Sequence, residues 1–193
     1  PPQNTTYSSD ERDENEILKN FKDQANVLNE YVDFFYLDVL SSIREINIAV
    51  NSIKIFDKPF LIGVHISEGT TLPSGEKLSD ITKTIDCKNL LGIILACVSP
   101  ENYMKNVKEI KSIGFPFGFK INAFETTKIT GGYTKNFQKS KSGNPNEFLG
   151  KRKDLTPEIL KDLAKRFIDD GATIIGGCCE TNPSHIKAIS ELK

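Results

Sequence analysis

Ile174-Ile175-Gly176-Gly177-Cys178-Cys179-Glu180-Thr181-Asn182-Pro183 is the stretch whose reading decides the fold. An apolar run ends in two glycines and two cysteines, and an Asn-Pro helix start follows at once. The stretch reads as the join between a buried strand and the helix after it. The glycines let the backbone turn tightly there.

Upstream, the same unit recurs. Nearly continuous apolar runs at 32–38, 60–66, 91–97, 117–123 and 172–176 read as strands buried on both faces, as parallel strands must be. Amphipathic segments alternate with them, the signature of an α/β protein built from parallel β/α units. Ser42, with Glu45 three residues on, reads as a capping box before the buried stripe Ile43, Ile46, Val50 and Ile53. Ser99-Pro100 and Thr156-Pro157 open two further helices, ended by Gly114 and Gly171. A weaker helix is expected over 76–86. An earlier one, over 14–30, buries Ile17, Leu18, Phe21, Ala25 and Leu28.

Five strands are three short of a closed (β/α)8 TIM barrel. The alternative, an open doubly wound sheet, calls for a glycine-rich phosphate loop after the first strand, and Asp38-Val39-Leu40-Ser41 offers none. The polar start before residue 30 also favours a barrel with five of its eight units in this chain. Residues 1–193 are read as a single domain, with a polar start and helix at 1–30. Residues 125–155 form a long Gly-, Lys-, Ser- and Asn-rich loop over the barrel mouth, where strand-to-helix loops line the catalytic face.

Bulk properties narrow the class. Of 193 residues, 38% are hydrophobic and 26% charged, an ordinary globular profile. Lys plus Arg number 25 against 26 Asp plus Glu, which argues against nucleic acid or an anionic membrane surface as partner and for a small molecule. No apolar run reaches the roughly 18 residues of a membrane span, and the expected location is the cytoplasm. Two of the four cysteines are adjacent, an arrangement poorly suited to a disulfide, so reduced thiols are expected.

Cys97 ends a predicted strand just before Ser99-Pro100, the same topological address as Cys178 and Cys179. Three thiols from two strands of one barrel can converge on one ion, and three protein ligands with a vacant fourth position is the pattern of a catalytic zinc site. Cys87 falls at the far end of the preceding helix, near the opposite face, and is left out. His65 reads as a packed or hydrogen-bonded core histidine, His185 as a helix residue without chemistry, and the lysine-rich run after Lys128 as a solvated loop.

Gly176-Gly177-Cys178-Cys179, the helix start at Pro183, His185-Ile186 and the segment Cys97-Val98-Ser99-Pro100-Glu101 resemble the homocysteine S-methyltransferase family from about residue 31 to the end. The resemblance implies a TIM barrel, Zn2+ on Cys97, Cys178 and Cys179, and methyl transfer from a small donor to homocysteine, giving methionine. It also implies that Asp38 holds the substrate amino group, in place of a family glutamate one methylene longer. Asn122, Glu125 and Tyr133 are further pocket candidates. Two departures stand out: Ala96 replaces an asparagine before the first zinc cysteine, and the family's first strands, with their Asp-Gly-Gly segment, have no counterpart. The other expectations are a homo-oligomer or a complementing N-terminal fragment, and, as the rival function, an inactive zinc-binding fragment acting as an interaction module.

Overall fold

The computed structural model describes residues 7–127 and 147–192. Five parallel strands pair strictly in chain order: β1 (Phe35–Leu40), β2 (Phe60–Val64), β3 (Leu90–Val98), β4 (Phe117–Ile121) and β5 (Ile174–Gly177). Around them run α1 (Glu14–Leu28), α2 (Ile43–Ile53), α3 (Ile81–Thr84), α4 (Pro100–Ser112), α5 (Pro157–Asp169) and α6 (Pro183–Ser190).

One continuous core joins the six helices of the described residues to a single face of the sheet. Ile17, Phe21, Ile46, Ile81, Tyr103, Ile110, Phe167 and Ile189 meet Leu37, Ile62, Val64, Ile93, Leu95, Phe119 and Ile121. Side chains alternate along a strand, so Tyr36, Asp38, Gly63, Ile94, Ala96, Lys120 and Gly176 occupy the other face. A doubly wound sheet reverses its strand order and carries helices on both faces. Sequential order with one-sided helices is instead an arc of a β/α barrel, and the second face is its concave lumen.

Capping explains the helix starts. Asp13, Ser42, Ser99, Thr156 and Asn182 each accept a backbone N–H two or three residues ahead, and Pro100, Pro157 and Pro183 fill the first turns of α4, α5 and α6. Gly114 and Gly171 take positive φ just past α4 and α5, where a side chain would be strained. Glu45 departs from the expected capping box: its carboxylate accepts from the Ser41 N–H, one residue before the cap.

Two expected elements are corrected. The helix read over 76–86 is a short 3-10 turn and the four-residue α3, which ends where the backbone turns extended at Ile85. The first strand begins at Phe35 rather than 32, since residues 29–31 extend α1 as a 3-10 turn, and it runs on to Leu40. Asp38 therefore lies inside β1, not at its end.

Candidate active site

The site is built where strands end irregularly. The β3–β4 register slips between Ala96 and Val98, and Cys97 there has φ 56, the left-handed region that non-glycine residues rarely adopt. Val39 repeats the device on β1, at φ 58 inside a second register slip. Such backbone conformations cost on the order of 1–3 kcal/mol each and concentrate at functional sites. Asn122, buried on β4's continuation, fixes the strained turn by donating its side-chain amide to the Cys97 carbonyl at 2.5 Å.

Cys178 and Cys179 arrive by a different route. The Cys178 N–H donates to Ile121 O at 2.7 Å and the Ala123 N–H to Cys179 O at 2.9 Å, so β4 carries the pair beyond the end of β5. Neither of the glycines before them has a positive φ, so neither makes the turn, and only Gly177 is needed for close packing. A Cβ on Gly177 would approach Thr181 Oγ1 to 2.5 Å, and the left-handed residue is Glu180, at φ 62.

Cys97 Sγ lies 3.7 Å from Cys179 Sγ, Cys178 Sγ is 3.9 Å from Cys179 Sγ, and all three sulfurs fall within 4.8 Å of one another. Tetrahedral zinc with Zn–S near 2.3 Å separates its sulfurs by roughly 3.8 Å. The set therefore fits a thiolate-bound zinc, and it is far too open for a disulfide. Cys87 belongs to the opposite end of the sheet, where its carbonyl accepts from Leu90 at the start of β3.

The thiols share protons unequally. Hydrogen bonds from Cys178 and Cys97 pull the Cys179 thiol down, whereas the same contact with Cys179 pushes Cys178 up. For Cys97, the pull of Cys178 is outweighed by Cys179 and burial, leaving it at about 11.

Sequence reading missed Tyr7. It is buried in a small second core with Val39, Ala96, Cys97, Phe124 and Leu149, against which Cys178 and Cys179 pack, and its hydroxyl lies 3.0 Å from Cys97 Sγ. Burial first, then the Cys97 charge, drives the Tyr7 hydroxyl upward, so it remains a donor. The Arg44 guanidinium holds this segment in place, donating at 2.8 Å to both the Asp10 and Arg12 carbonyls. No local pattern signals this contact, because it joins residues ninety positions apart.

His65 is fully buried, with Nδ1 on the Ala96 carbonyl at 3.2 Å, Nε2 on the Ser67 hydroxyl at 2.8 Å, and its ring 4.2 Å from that of Tyr7. Burial pushes its pKa down to about 4, so it sits neutral behind the site. His185 anchors α6 to the Leu155 carbonyl at 2.9 Å.

The remaining candidates scatter. Asp38 pairs with the Lys120 ammonium, which reaches across the lumen from β4. Glu125 is exposed, with its carboxylate against Gly150, and Tyr133 lies outside the described residues. Arg152 pairs with Glu101 at 2.8 Å and its backbone N–H donates to Ala123 O, on the residue whose own N–H donates to Cys179 O.

Comparison with known proteins agrees with this geometry. The family profile described as homocysteine S-methyltransferase matches residues 1–192. Homocysteine S-methyltransferase 1 of Saccharomyces cerevisiae is 26% identical over 181 residues, covering 88% of this chain and 51% of the yeast protein. Homocysteine S-methyltransferase 1 of Zea mays is 27% identical over 130 residues, 65% of this chain and 35% of the maize protein. The apo crystal structure of the homocysteine methyltransferase MmuM from Escherichia coli superposes with a TM-score of 0.65 at 16% identity, over 91% of this chain and 58% of that one, a likeness of fold. The chain thus spans about half or less of the length of the curated relatives it matches.

Proposed function

The chain belongs to the homocysteine S-methyltransferase family, and from that premise we propose that it transfers a methyl group from a small donor to the thiol of homocysteine, giving methionine, with zinc held by Cys97, Cys178 and Cys179. The observation that carries the reading is the convergence of those three sulfurs within 4.8 Å. Bound there, zinc supplies a center at which the acceptor sulfur stays deprotonated near neutral pH.

The protein's own groups do the rest. The Tyr7 hydroxyl stands where it can donate to a Cys97 thiolate, Asn122 holds the carbonyl of the same residue, and neutral His65 braces Ala96. Asp38 offers a lumen carboxylate for the substrate ammonium, and Glu125 and Tyr133 are further candidates for substrate contact. Donors of the sulfonium or quaternary ammonium type suit the reaction, since each leaves as a neutral molecule. No helix among the described residues is long and apolar enough to cross a membrane. Four free cysteines are in keeping with a cytoplasmic location.

A second reading rests on the sheet edges. Among the described residues β1 and β5 each pair on one side only, and Val27, Leu28, Tyr31 and Phe34 are exposed near the β1 edge. An arc with such edges invites a complementing N-terminal piece or a second copy. The deciding experiment measures zinc in reductively purified protein, then methionine formation from homocysteine with a panel of donors. About one zinc per chain, lost on alkylating the thiols, together with methionine formation, supports the enzyme. Zinc without methionine formation from any donor favours the interaction-module reading, and folded protein without zinc overturns both.

A further inference from the structure

The concave face holds a polar group that the family resemblance did not point to. Lys120 lies in register with Ala96 on β3 and Gly176 on β5, so its side chain starts one residue short of Cys97 and two short of Cys178. At about 3.3 Å per residue along a strand, that is roughly 3–7 Å below the sulfurs. Its ammonium spans the lumen to Asp38 Oδ2 and sits 5.4 Å from the center of the Tyr36 ring. Small residues leave it room: a Cβ on Gly176 would meet only the Lys120 chain, at 3.9 Å, and its strand atoms. Gly63 lies so close under Tyr36 that a Cβ there would come within 2.6 Å of the hydroxyl.

Two buried polar atoms in this group have no hydrogen-bond partner among the described residues, the Tyr36 hydroxyl and Asp38 Oδ1. Buried polar atoms are nearly always partnered; the Tyr36 hydroxyl has the Asp38 carboxylate beside it, and a ligand with both charges can take each of them in turn. They are complementary: a phenol kept protonated can donate, and a carboxylate oxygen can only accept. Burial, then the Asp38 charge, keeps Tyr36 protonated. Lys120 has further N–H groups to give beyond the one on Asp38.

We propose that Lys120 and Tyr36 form the carboxylate subsite for the methyl acceptor, leaving Asp38 Oδ1 to take its ammonium, so that three residues of the lumen read the acceptor as a zwitterion. The inference rests on the acceptor reading above and adds which residues recognise which end of the molecule.

A test removes one charge at a time from ligand and protein. Calorimetry on the zinc-loaded chain compares homocysteine with 4-mercaptobutanoate, which lacks the ammonium, and 3-mercaptopropylamine, which lacks the carboxylate. Lys120→Met is expected to weaken the two carboxylate-bearing thiols about tenfold or more and to leave 3-mercaptopropylamine within about twofold. Tyr36→Phe gives the same pattern at roughly threefold to tenfold, and it carries the test if Lys120→Met does not fold. Asp38→Asn gives the converse, weakening the two ammonium-bearing thiols and sparing 4-mercaptobutanoate. Equal weakening of all three thiols by Lys120→Met would assign Lys120 to the sulfur cluster and overturn the subsite, as would no change in any. If none of the three thiols binds the zinc-loaded wild type, the acceptor reading fails and this inference with it.

Discussion

The Tyr7 hydroxyl lies 3.0 Å from Cys97 Sγ, donated by a segment that precedes the first helix onto a cysteine at the end of the third strand. A donor to a ligand sulfur stabilises its thiolate, the form a metal needs. Tyr7→Phe keeps the ring in the small core and removes only that donor. Zinc affinity is expected to fall about tenfold, read by competition with a chromophoric chelator, with little change in folding stability. An unchanged affinity would make the contact mere packing.

The ligand set is separable from the spare cysteine. Cys97→Ser and Cys178→Ser should each cost more than the roughly 100-fold that loss of an outer partner costs, whereas Cys87→Ser should bind zinc like the wild type. Elemental analysis reads the difference, and equal loss in all three variants would refute the assignment. Cys97 is held at about 11 and Cys178 is raised, so zinc must displace their protons near pH 7. Affinity should therefore rise with pH, accompanied by release of about two protons per zinc.

Glu45 makes stability fall as pH rises. Its carboxyl is pushed up to about 7, chiefly by burial, against an ordinary 4.5. Ionisation is thus easier in the unfolded chain: the folded state keeps its full stability below about pH 4.5 and loses it progressively toward pH 7. Glu45→Gln keeps an oxygen for the Ser41 N–H and removes the charge. Urea titrations should show the variant more stable by about 2–3 kcal/mol at pH 8 and nearly equal to wild type at pH 4.5. A pH-independent difference would show that Glu45 does not titrate in this window.

Gly118 lets β4 and β5 approach each other below the site. A Cβ there would fall 1.7 Å from the Ile174 carbonyl oxygen, so Gly118→Ala must push β5 away from β4. A loss of about 3 kcal/mol in denaturant stability is expected, together with reduced zinc, because the same pairing carries Cys178 and Cys179. Gly176→Ala meets nothing closer than the Lys120 chain at 3.9 Å and should leave the denaturation midpoint in place.

Much of this was legible in the chain itself. Strand and helix identity came from local signals: apolar runs, caps at Ser42, Ser99, Thr156 and Asn182, and stops at Gly114 and Gly171. The cysteines came from their shared address at strand ends. Those features depend on neighbours within a few positions, which a linear pattern records. Strand limits were less legible, because residues 29–31 could extend a helix or begin a strand.

What only the tertiary structure decided is which distant residues share one space. The register slip that turns Cys97 to φ 56, the reach of Tyr7 onto its sulfur, and the Lys120–Asp38 pair spanning β4 to β1 arise from the curvature of the sheet and the packing of one segment over its end. A sequence carries periodicity, and periodicity assigns a residue to a face. Position within the lumen is set by the accumulated twist and offset of several strands, and no single stretch of chain encodes that.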